Sequence, residues 1–152
     1  MENHSHPNYN IQLPYSKTNY LLTIPERRFY EKLCAMIPEN LTILPQVAIS
    51  SIVKVISHQI TFKIRRKKIS NKKIDFVIFK KRFLEPVLAI EYDDKTHERS
   101  DRKARDSFVN KVLDSSWIPI IHCKYEETNL SLHNLKKLFS KMSLWLKLDK
   151  NY

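Results

Sequence analysis

The sequence predicts a mixed α/β domain, ordered α-β-β-β-α-β with a further C-terminal helix, in which helices flank a sheet. Three observations predict it. The 152 residues are 42% hydrophobic and 11% aromatic, which suits one globular domain able to bury about two-thirds of its unfolded surface. Two β-rich runs, KIDFVIF and PVLAIEYD, are joined by the short KKRFLE, and so short a connection makes an antiparallel hairpin. Segments on either side repeat apolar residues at helical spacing.

The elements follow in chain order. Residues 1–20 are polar, with Pro7 and Pro14, and read as a flexible arm ahead of a single domain over 21–152. In TIPERRFYEKLCAMI, Thr23 and Glu26 form a capping-box pattern and Pro25 fits the first turn. Phe29, Leu33, Met36 and Ile37 share one face of that helix, which should end near Pro38. Leu41 to Ile49 is a strand in which Pro45 marks an edge or a bulge. SSIVKVISHQITFKIRRKK reads as a short helix followed by a partly extended basic segment. After the hairpin, Ser100 is a candidate N-cap for a helix with Ala104, Phe108, Val109, Val112 and Leu113 inward. WIPIIHC reads as a buried strand. A last helix, 131–148, turns Leu135, Leu138, Phe139, Met142, Trp145 and Leu146 to the core.

Composition narrows the function. The chain has no glycine, so turns needing positive φ fall to Asn or Asp, with Asn71 and Asp94 the candidates. Cys34 and Cys123 are far apart among apolar neighbours, which predicts buried reduced thiols and argues against a disulfide framework or a zinc site. No apolar run reaches a membrane span and MENHSHPNYN lacks a signal core, so the expectation is a soluble cytoplasmic protein without a membrane partner. The net charge of +11 attracts polyanions. Lys63, Arg65, Arg66, Lys67, Lys68, Lys72 and Lys73 crowd one segment, which predicts nucleic-acid contact.

The acids are as concentrated. With the hairpin symmetric about Phe83, Asp75 lies opposite Glu91, and Glu91 and Asp93 share a face while Tyr92 points away. Carboxylates gathered at that spacing repel unless a cation offsets them, and a hard divalent ion takes oxygen ligands of this kind. Solvated strand ends, or pairing of Asp93 with Lys73, are the alternative.

IDFVIF followed by LAIEYDDKTH resembles the Asp…Glu-x-Lys core of the PD-(D/E)XK, or restriction-endonuclease-like, nuclease superfamily. It is most similar to the branch with Glu-x-Asp and a nearby histidine, as in endonucleases of the very-short-patch-repair type. LLTIPERRFY, PQVAI, KKIDFVIF, AIEYDDKTHERSDRKARD and WIPIIHC also resemble, in the same order, a bacterial domain-of-unknown-function family placed among these nucleases. The resemblance implies a Mg²⁺- or Mn²⁺-dependent phosphodiesterase acting on nucleic acid, with DNA favoured. Asp75 and Glu91 would be metal ligands, joined by the Tyr92 carbonyl, with Glu26 completing the site and Gln46 beside it. Asp93 stands where the superfamily has lysine, so Lys73, Lys95 or His97 would substitute, or Asp93 would hold a second metal. His97 would serve as acid/base or ligand, and Arg99, Arg102 and Arg105 would face phosphate, with Arg105 the first choice. A nuclease fold that binds DNA or RNA, or docks a partner, without cutting is the competing expectation. Sequence specificity would then come from a protein partner.

Overall fold

The computed structural model describes residues 13–56, 59–93, 100–125 and 128–148; side chains of residues 59–60, 100–106, 129–130 and 141–148 fall outside that description. Helix α1 spans Ile24–Met36, strand β1 Leu41–Ala48, helix α2 Ile49–Ile52 and helix α3 Gln59–Ser70. Strands β2 (Lys73–Lys80) and β3 (Glu85–Asp93), helix α4 (Ser100–Asp114), strand β4 (Ile120–Lys124) and helix α5 (Thr128–Leu148) complete it. The fold is mixed α+β, with strand order β1-β2-β3-β4. The first three strands are antiparallel neighbours, and β4 joins β3 in parallel through the α4 crossover.

Each face of the sheet has its own core. On one, Phe29 and Leu33 of α1 and Leu132, Leu135 and Phe139 of α5 cover Phe76, Ile78, Leu88, Ile90 and Tyr92. On the other, Ile49 of α2, Ile69 of α3 and Val109 and Leu113 of α4 cover Val77, Phe79 and Ala89. β3 splits between the two faces at its carboxyl end, Tyr92 going to the α1 side. The alternation that buries Tyr92 on the α1 side turns Glu91 and Asp93 to the α4 side.

Thr23 and Glu26 form the expected capping box, with Thr23 N–H donating to Glu26 Oε2 at 2.7 Å and Thr23 Oγ1 donating to the same oxygen at 2.8 Å. Pro45 lies on β1, an edge strand, where its missing N–H disturbs no inner ladder.

Several expectations are corrected. The basic segment is not extended: α3 carries it as a helix, with Lys63, Arg65, Arg66, Lys67 and Lys68 exposed while Ile69 anchors its end in the core. Cys123 is buried but Cys34 is exposed, because it falls beside Leu33 on the outward side of α1. Asn71 is not a positive-φ residue; Gln46 (φ 54°), Leu84 (φ 52°) and Trp117 (φ 58°) hold those positions, and Asp94 lies outside the described residues. Leu84 closes the hairpin with its N–H on the Lys80 carbonyl at 2.9 Å, in a tight turn over 81–84. Trp117 is not in a buried strand but terminates α4. Ile118 N–H donates to the Leu113 carbonyl and Trp117 N–H to that of Asp114, both at 3.0 Å, the paired bonds of a Schellman motif. Trp117 occupies the position usually given to glycine, and it is 93% exposed. Of the predicted inward residues, Ala104, Met142, Trp145 and Leu146 have side chains outside the described set. Among the described residues no helix is long and apolar enough to cross a membrane.

Candidate functional site

Asp75 sits in β2 between the fully buried Ile74 and Phe76, and Glu91 sits in β3 between the buried Ile90 and Tyr92. Apolar neighbours that enter the core on both sides fix the backbone, so neither carboxylate can swing far into solvent. The β2–β3 register pairs Phe76 with Ile90, and its continuation sets Asp75 against Glu91 as the sequence predicts. The register slips only between Ile78 and Phe79, toward the turn. At the acidic end the ladder is completed by a side chain: Tyr92 N–H donates to Asp75 Oδ2 at 2.8 Å.

Burial pushes the Asp75 carboxyl above its ordinary value. The Tyr92 N–H and a side-chain hydrogen bond with Glu91 act against that shift, while the charges of Glu26 and Asp93 add to it. A hydrogen bond between two carboxyl groups requires a proton on one of them. Glu91, Asp93 and Glu26 thus each act on Asp75. Two of the four have other commitments. Glu26 caps α1 through Oε2. Asp93 Oδ2 lies 3.5 Å from His122 Nδ1, and His122 Nε2 is 3.1 Å from Asn110 Oδ1.

His122 was missed by sequence reasoning. It lay inside an apolar run, and only the parallel β3–β4 pairing, which sets Glu91 against His122 and Asp93 against Lys124, carries it to the site. The available signal was the period-2 alternation of Ile120, His122 and Lys124 on one face. β4 thus brings an imidazole and an ammonium to strand positions directly across from two carboxylates.

Gln46 reaches the same region through β1. Pro45 pairs with Phe76 and Val47 with Ile74, so Gln46 falls at the level of Asp75, half-buried and in the left-handed region. Holding a glutamine there costs about 1 kcal/mol or more. Lys73 is exposed at the start of β2, its backbone paired with Ala48. Lys72 lies 5.7 Å from the centre of the Phe108 ring of α4. Lys95, His97 and Arg99 lie outside the described residues, as do the side chains of Arg102 and Arg105.

Among the described residues no group of three or more His, Cys, Asp or Glu forms a ready-made metal cage. Mg²⁺ does not need one, since it binds through one or two carboxylates and keeps its other positions for water and substrate phosphate. The adjacent, half-buried Asp75 and Glu91, both oxygen donors, fit that requirement.

Fold and site together define a mixed α+β protein with an acidic strand-end cluster on one sheet face and a strongly basic helix in the same face's helical layer. The chain belongs to the family described as "Protein of unknown function (DUF2726)", which matches residues 18–141 and so spans α1, the whole sheet and most of α5. No curated protein and no solved structure matches the chain.

Proposed function

We propose that this protein is a Mg²⁺- or Mn²⁺-dependent nuclease that hydrolyses phosphodiester bonds of nucleic acid, DNA by preference. The observation that carries the proposal is the Asp75–Glu91 pair, held face to face by core residues and strained by burial and by the charges of Glu26 and Asp93. Asp75 and Glu91 hold the divalent ion. When bound, that ion lowers the pKa of a water and offsets phosphate charge. Tyr92 N–H keeps Asp75 Oδ2 oriented toward the pair. His122 and Lys124, across from Glu91 and Asp93, stand in for the lysine that the superfamily carries at position 93. Lys95, His97, Arg99, Arg102 and Arg105 keep the phosphate and proton-transfer roles that the resemblance implies, with Arg105 on the scissile phosphate. The cations of α3, with Lys72 and Lys73, bind backbone phosphates without reading sequence. A protein partner supplies specificity.

The second reading is a nuclease-fold module that binds nucleic acid without cutting, and the Asp93 carboxylate at the lysine position, 3.5 Å from His122 Nδ1, favours it. The test is incubation of purified protein with single-stranded and duplex DNA and RNA in Mg²⁺, Mn²⁺ or EDTA, beside Asp75→Asn and Glu91→Gln variants of verified fold. Metal-dependent cleavage lost in both variants is the expected result. No cleavage in any condition, with no heat of Mg²⁺ binding in calorimetry, removes the nuclease and leaves the binding module.

A further inference from the structure

A groove of about 810 Å³ opens between α3, the segment following α2 and the carboxyl end of α4. Phe108 and Val112 contribute to its apolar lining, Lys54, Arg65 and Lys68 supply cations, and Trp117 stands at its side. No acidic side chain lines it among the described residues. Arg65 and Lys68 are one helical turn apart on α3, so their side chains emerge on the same side.

Trp117 is the anomaly. Its indole is 93% exposed, so it adds almost nothing to the core. Its backbone holds φ at 58°, where a bulky residue is disfavoured and glycine is at ease. Its indole therefore presents an open aromatic face beside the cations of the groove.

We propose that this groove binds single-stranded nucleic acid, with a base stacked on Trp117 and backbone phosphates on Lys54, Arg65 and Lys68. Proteins that hold unpaired strands combine a cationic track with aromatic platforms, because every base has a π-face and every nucleotide a charge. An acidic peptide would also meet the three cations. The discriminating feature is Trp117: an exposed aromatic face beside three cations suits a base and its phosphates, whereas an acidic peptide would use the cations alone. Phe108 in its lining also lies 5.7 Å from Lys72 Nζ, and Lys72 immediately precedes the strand bearing Asp75. The inference rests on the nucleic-acid part of the proposed function and not on cleavage.

The experiment is fluorescence anisotropy of labelled oligothymidylate in EDTA, with wild type, Trp117→Gly and Trp117→Phe. Glycine suits the backbone at 117, so Trp117→Gly folds with an unchanged or higher melting temperature. Its affinity is expected to fall about tenfold, the scale of one lost stacking contact. Trp117→Phe keeps most of the affinity, and because EDTA silences metal-dependent cleavage the readout separates this site from the failure or success of catalysis. Equal affinity of Trp117→Gly and wild type overturns the proposal. So does tighter binding of an equal-length duplex than of the single strand, or displacement of oligothymidylate by polyglutamate at lower concentration than by unlabelled oligothymidylate.

Discussion

Replacing Asp75 with asparagine should stabilise the metal-free protein. The carboxylate is favoured by hydrogen bonds with the Tyr92 N–H and with Glu91, but burial, helped by the charges of Glu26 and Asp93, outweighs them and lifts the acid above its ordinary value. Asparagine keeps an oxygen for the Tyr92 N–H and has no charge to desolvate. A like charge at a generic separation of about 4 Å repels by about 1 kcal/mol in water and about 4 kcal/mol at an effective dielectric near 20, which bounds what Glu26 and Asp93 together contribute. Half-burial puts the relief between those limits, roughly 2 kcal/mol, and the weaker neutral hydrogen bond takes back about 1 kcal/mol. The net gain of about 1 kcal/mol raises the melting temperature by roughly 2–4 °C in a domain of this size. The sign of the pH dependence follows from linkage. An acid with a raised folded-state pKa binds its proton more tightly when folded, so stability is lost as pH rises from the unfolded value through the folded one. The advantage of Asp75→Asn should therefore be full at neutral pH and fade as pH falls below about 4, where the wild-type carboxyl becomes protonated in both states. Thermal unfolding followed by circular dichroism, in EDTA across that range, measures it. Saturating MgCl₂ should then raise the melting temperature of wild type more than that of the variant. A variant that melts lower than wild type in EDTA at neutral pH, or an advantage that persists undiminished in acid, would refute the reasoning.

Three further outcomes are expected. Native protein treated with a disulfide reagent should show one fast thiol, Cys34, which is exposed, and one slow thiol, Cys123, whose buried sulfhydryl is pushed up to about 11; Cys34→Ser should remove the fast phase and leave the slow one. Phe76→Ala should cost about 3–5 kcal/mol by urea unfolding, because the ring is fully buried and packs 5.7 Å from the Phe29 ring centre and 6.0 Å from that of Tyr30. Thr23→Ala, which removes the α1 cap, should cost about 1 kcal/mol in the same assay, and a cost near zero would show that Glu26 alone holds the helix start.

The hairpin half of the site was legible because Asp75 and Glu91 interrupt apolar runs joined by a short connection, so register follows from counting. The count failed only beyond Ile78, where an extra residue on β3 is absorbed, and no side-chain pattern announces such a slip. His122 and Lys124 were not legible, since parallel pairing depends on where the α4 crossover returns the chain. The basic segment hid its helix because exposed lysines and arginines carry no apolar period, and among the described side chains of α3 only Ile69 is buried. Without glycine, nothing in the composition distinguished Gln46, Leu84 or Trp117 as the positions where the backbone turns left-handed.

The crossover between β3 and β4 also orders the assembly of the site in time. Asp75 meets Glu91 across a local hairpin, a contact that closes a short loop and forms early. His122 meets Asp93 only after α4 has docked and β4 has added in parallel, a pairing of longer range and slower formation. During folding the acids are therefore brought together before the imidazole reaches them. A folding chain that passes through this hairpin gathers its two carboxyl groups early, so their protonation should act on the rate of folding as well as on the stability of the finished protein.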